Sequence, residues 1–136
     1  MLSNIGIGLI VLTLILSFSI ICTASFDLRS SGQSIKKNIY KLSLFQTTLT
    51  ILCFLSLVIG FINSDFSLIN VYENSHTAKP FFYKIAGTWG NHEGSLLLWV
   101  NILVIFSYLF LVYSHVHDKK FRLYTLIFQN ILILGF

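Results

Sequence analysis

Three apolar runs of membrane length dictate what this chain can become. Ile5 to Cys22, Leu42 to Ile62 and Ser95 to Tyr113 each approach the ~20 residues that a helix needs to cross a hydrocarbon core roughly 30 Å thick. A fourth run opens at Leu123 and is still apolar at Phe136, after 14 residues. At helical rise it covers roughly 21 Å, short of an untilted crossing. The pattern predicts an all-α, polytopic transmembrane protein with three complete spans, at about 5–22, 42–62 and 95–113, and the start of a fourth at 123–136. Residues 63–94 form the long loop between the second and third spans. A fourth span interrupted in this way suggests a fragment, a split gene product or an excerpt of a longer protein. Charged residues make up 10% of the chain, against about 25% in a soluble domain, so lipid is the expected solvent.

The basic residues set the expected orientation. Arg29, Lys36, Lys37 and Lys41 flank the first connection, and Lys119, Lys120 and Arg122 flank the third, seven in all. The second loop holds only Lys79 and Lys84. By the positive-inside rule the seven-residue side is cytoplasmic, or matrix in a mitochondrion, and the N-terminus and long second loop lie outside. A cleaved signal peptide is an alternative for the first run, although no basic residue precedes Arg29 and no cleavage site follows. The net charge of +4 does not point to nucleic acid, because the cations are split between two short connections without an aromatic platform.

Cys22 ends one apolar run and Cys53 sits deep in another, which predicts two reduced, structural thiols. The polar members of the spans are mild: Thr13, Ser17 and Ser19, then Gln46, Thr47, Thr48, Thr50 and Ser56, then Asn101 and Ser107. Such residues mark helix contacts within membranes, and Gly6 and Gly8 permit close approach. No ionisable residue sits inside the four runs, where proton and ion pathways usually place one.

A loop of about 30 residues is uncommon unless it has structure or function. Phe66, Leu68, Val71 and Tyr72 read as an extended, partly apolar stretch, Asn74-Ser75 as a turn, and Pro80 as the start of a short helix through Ala86 that Gly87 closes. Its aromatics suit the headgroup layer or a substrate surface equally well. Gly87, Gly90 and Gly94 then punctuate a turn that brings His92 and Glu93 to the membrane surface before Ser95 opens and caps the third span. Glu93 stands beside the positive end of that helix, and Trp99 follows one turn inside. The glycines match neither a phosphate loop nor a dinucleotide fingerprint.

The run Ala86-Gly87-Thr88-Trp89-Gly90-Asn91-His92-Glu93-Gly94-Ser95-Leu96-Leu97-Leu98-Trp99-Val100 resembles the outer-face signature of the CcmF family, polytopic haem lyases that attach haem to apocytochrome c. The resemblance extends upstream through Ser64 to Leu68, Val71-Tyr72, Asn74-Ser75 and Pro80 to Tyr83, and it is expected to cover nearly the whole chain. It implies the N-terminal segment of a haem lyase in a bacterial inner (plasma) membrane, with the mitochondrial inner membrane as the alternative. The implied cofactor is haem, and the implied partners are a haem chaperone, apocytochrome c, other cytochrome c maturation proteins and membrane lipid, with no nucleic acid.

Haem iron takes an axial imidazole, and four histidines are available. His115 and His117 are two apart and cannot address one metal from one helix face, and His76 lies in a polar turn. His92 alone sits in a dense motif. Trp89, His92 and Glu93 are therefore the candidates for a haem or substrate surface, with catalytic residues unknown and no metal site expected. The resemblance puts the family's haem-ligating histidines and Trp-rich element further along the chain; no Trp-Trp-Asp pattern occurs here. A noncatalytic hydrophobic subunit of a respiratory assembly and a transporter segment remain as alternatives.

Overall fold

A computed structural model describes residues 2–30, 32, 34–114 and 118–136. Six helices occur among them: α1 (Leu2–Leu28), α2 (Lys37–Asn63), α3 (Ile69–Asn74), α4 (Phe81–Gly87), α5 (His92–Tyr113) and α6 (Lys119–Gly135). No strand is present among the described residues. Three segments, Asn4–Leu28, Lys37–Asn63 and His92–Tyr113, are long and apolar enough to cross a membrane. The all-α membrane fold expected from the apolar runs is therefore the observed one. These helices are apolar on every side, and large side chains such as Phe18 and Phe106 stay more than 60% exposed on the bundle exterior, as lipid-facing residues do.

The four long helices form a ring. α1 packs on α2 and α6, and α5 packs on the same two helices from the opposite side. Successive long helices run antiparallel, so the seven basic positions gather at one end. That end is tightly closed, with Ile20, Ala24, Ile35, Ile39, Leu111 and Leu123 in one buried cluster. α1 runs beyond its apolar stretch to Leu28, which places Asp27 in its last turn. The expectation that no ionisable group lies in a spanning helix is thus corrected. Asp27 is fully buried, accepts a hydrogen bond from the Lys36 amide at 3.3 Å, and pairs with Lys119 at 3.2 Å. Arg122 is also buried in α6 and donates to the Tyr40 hydroxyl at 2.9 Å and to the Leu111 carbonyl. A cation is favoured at that carbonyl because α5 ends there with unsatisfied acceptors.

Near mid-bundle the polar residues divide into two kinds. Most hydroxyls bond back to their own helix, as Thr13 does to the Leu9 carbonyl at 2.8 Å and Thr50 to that of Gln46 at 2.7 Å. Ser19 and Thr48 do the same from the outer surface. Gln46 behaves differently: its amide nitrogen donates to Ser17 Oγ at 2.6 Å and to Asn130 Oδ1 at 3.0 Å, tying α1, α2 and α6 across the interior. Gly6 approaches Ser56 of α2, whereas Gly8 faces open space.

The opposite end carries the long loop. α2 stops at Ser64, which adopts left-handed backbone (φ 52°), while the amides of Ser64 and Asp65 return to the carbonyls of Phe61 and Gly60. This is a Schellman stop with serine where glycine is usual. The Ser64 hydroxyl also accepts from Lys84 Nζ at 2.7 Å, which fastens α4 to the end of α2. Phe66 to Tyr72 is not extended: it turns and then forms α3, because helical spacing buries Val71 completely against Gly60 while Ile69 and Tyr72 point outward. Ser75 follows in extended backbone and is buried.

Candidate functional site

The glycine-rich element is built by close packing and not by left-handed backbone, for no described glycine has positive φ. A Cβ on Gly87 would lie 3.2 Å from the Phe61 ring, and one on Gly90 would lie 3.1 Å from the Ala86 carbonyl oxygen. At Gly94 the added atom would overlap the Thr88 carbonyl oxygen and lie 2.8 Å from its carbon. α4 and the first turn of α5 therefore meet backbone to backbone, with Thr88 fully buried between them.

Asn91 organises this junction. Its Oδ1 accepts from the Gly94 amide at 2.7 Å, capping α5, and from Asn70 Nδ2 at 3.1 Å. Its own Nδ2 donates to the Gly87 carbonyl at 2.8 Å. The expectation that Ser95 opens and caps the third span is corrected: the helix starts at His92, and the Ser95 hydroxyl donates to the His92 carbonyl at 2.8 Å. Asparagine ranks with serine as an N-cap, and its side chain reaches the amide three residues on. That offset from Asn91 to Gly94 was the signal available in the sequence.

The structure separates the three candidate residues. Trp89 is 43% exposed and His92 is also exposed, and neither lines the two cavities that open at this end of the bundle. Glu93 lines both. One cavity, ≈ 330 Å³, lies between α1, α2, α3 and α5, and the second, ≈ 300 Å³, continues toward α6. They share Ile10, Cys53, Glu93 and Leu97. Glu93 accepts from Asn70 Nδ2 at 3.3 Å. Asn70, Asn91 and Cys53 are thus site residues that the motif alone did not single out. On the loop itself, hydrogen bonds from the Ser67 hydroxyl and amide hold the exposed Asp65 carboxyl below the usual carboxylate range.

These residues do not fit a haem. The described imidazoles, His76 and His92, are exposed and border neither cavity, and a carboxylate at the shared rim would repel haem propionates. His115 and His117 lie outside the described residues. Among the described residues no group of three or more His, Cys, Asp or Glu is placed to hold a metal ion. Cys22 and Cys53 are free thiols.

The chain is similar to proteins of known naming. It is 51% identical over 76 residues, 56% of its length, to the cytochrome c-type biogenesis protein CycK of Bradyrhizobium diazoefficiens, of which it covers 12%. It is 29% identical over all 136 residues to the cytochrome c-type biogenesis protein NrfE of Haemophilus influenzae, covering 21% of that protein. To the cytochrome c-type biogenesis protein CcmF of Escherichia coli it is 44% identical over 61 residues, 45% of the chain and 9% of the relative. The chain therefore spans about a fifth or less of the length of these relatives. No family profile and no solved structure matches it. By sequence, the relatives of this chain are cytochrome c-type biogenesis proteins, and the chain matches a segment of each of them.

Proposed function

We propose that this chain serves cytochrome c maturation as the N-terminal membrane portion of a haem lyase, contributing scaffold and part of the outer surface. The complete protein would join haem to the reduced cysteines of apocytochrome c, working with a haem chaperone and the other maturation proteins. Its part in that reaction is positioning, which lowers the entropic barrier to thioether formation. The observation that carries the reading is the similarity to proteins named for cytochrome c-type biogenesis. The same similarity favours it over a respiratory subunit or a transporter segment. The basic residues support an orientation with the long loop outside, and the bacterial sources of the relatives support a bacterial inner membrane.

Trp89 and His92 are the substrate-facing pair in this reading, presented on a junction whose backbone has no slack. Helix capping needs neither of them, because Asn91 supplies the cap. The test is covalent cytochrome c haem, normalised to inserted protein, in complete proteins carrying Trp89→Phe or His92→Gln. Normal abundance with lost maturation supports the surface. Wild-type maturation in both would remove it and leave an interfacial anchor.

A further inference from the structure

We propose that α4 is an interfacial anchor, its Phe81-Phe82-Tyr83 face embedded in the lipid headgroup layer on the loop side of the membrane and its far end holding the glycine-rich junction at that height. This goes beyond the maturation role and does not depend on it. α4 is a helix without a core of its own: none of its residues is buried, and Phe81, Phe82 and Tyr83 are 55%, 80% and 68% exposed. Neighbouring aromatics left open in this way mark an interaction surface.

Depth identifies the partner. Trp99 and Tyr113 stand on the lipid-facing exterior of α5, 60% and 75% exposed and 14 residues apart (113 − 99). Such aromatics border the hydrocarbon on its two sides. A core roughly 30 Å thick, centred midway between them at Phe106, reaches about ten residues each way at helical rise, so its loop-side boundary falls near Leu96. Gly94, packed on Thr88 directly after α4, lies about 3 Å beyond that boundary. α2 gives the same height: Gly87 abuts the Phe61 ring and Lys84 reaches Ser64, at and just past the end of the crossing segment Lys37–Asn63. At that level the surroundings are headgroups, continuous with the lipid around α2 and α5. Shape argues against a protein cover. Consecutive residues project about 100° apart around a helix, so the three rings spread over about 200°. A flat protein surface takes a narrower stripe, whereas a headgroup layer surrounds the helix. Polarity agrees: Tyr83 carries a wet hydroxyl on an apolar ring, Lys84 is turned to Ser64, and the polar stretch from His76 to Ala78 is exposed.

The experiment is spin-label accessibility of the chain in phosphatidylcholine vesicles, with Cys22→Ala and Cys53→Ala as the background and one labelled cysteine at a time. Phe82→Cys is compared with Ala78→Cys in the polar stretch and with Phe18→Cys, at a site 63% exposed within the crossing segment Asn4–Leu28. The label at 82 is expected about 5–10 Å into the headgroup and acyl boundary, where interfacial apolar faces sit. Its ratio of oxygen to nickel-chelate collisions should be several-fold above that at 78 and several-fold below that at 18. Tyr83→Cys should read the same, and serves if Phe82→Cys lowers the folded yield. A ratio equal to that at 78 would place the face in water, one equal to that at 18 would sink α4 in hydrocarbon, and loss of collisions with both reagents would show protein over it. Each of these outcomes overturns the proposal. None of the readouts involves haem, so a failure here is separable from a failure of the maturation role.

Discussion

Gly94 sits against the carbonyl of Thr88 with no room for a methyl group between them. The obstacle is backbone and cannot swing aside, unlike the flexible Leu68 side chain over Gly60. Gly94→Ala is expected to cost about 3 kcal/mol through overpacking. Gly8→Ala, in a helix position facing open space, should be neutral or stabilising by roughly 0.5–1 kcal/mol. Reversible unfolding of the chain in mixed micelles measures both, and an Ala at position 94 as stable as wild type would refute the packing account.

Gln46 and Asn130 meet through the interior from helices at opposite corners of the ring. Interhelical hydrogen bonds in membranes average about 0.6 kcal/mol and reach about 1.7. A double-mutant cycle with Gln46→Leu and Asn130→Leu should return a coupling in that range. Additivity of the two losses would mean that the bond contributes nothing.

Asp65 is held ionised by Ser67, so Ser67→Ala should raise its titration toward the ordinary carboxylate range. The sign follows from the direction of the shift. With the native value depressed, the contribution is present above the unfolded carboxylate range and is lost as pH falls through the native value. A carboxylate carbon NMR titration reads it directly, and an unchanged Asp65 in the variant would contradict the hydrogen-bond cause.

Orientation is tested by labelling. With Cys22 and Cys53 replaced, a cysteine at the exposed Ala78 should react with an impermeant maleimide from outside, and one at the exposed Ser34 should not. Ser75, three residues from Ala78, is buried and makes a poor probe. The reverse labelling pattern would invert the topology.

The helices were legible because apolar runs such as 42–62 and 95–113 are long and uninterrupted, and hydropathy reads length directly. Their ends were less so. α1 carries its helix past Cys22 to Leu28 because Asp27 finds Lys119, a partner distant in sequence that no local pattern reveals. α3 was misread as extended because its burial rests on one residue, Val71, packed on Gly60. In the motif, Glu93 was visible as a carboxylate at a helix start, whereas Asn70 joins it from 23 residues away. All three motif residues are exposed, and that Glu93 alone borders the cavities depends on how α1 and α5 diverge, which is a tertiary fact.

The Asp27 to Lys119 pair has a consequence for the order in which the chain is made. The acid is synthesised 92 residues before its partner (119 − 27), a delay of roughly 5–18 s at ordinary rates of translation. Through that interval α1 and α2 wait in the translocation machinery with a carboxylate that their own side chains leave without a counterion. Nascent chains arrested before Lys119 should therefore be cleared by membrane proteases faster than chains arrested after Gly135, and equal pulse-chase lifetimes would show that the early helices need no such latch.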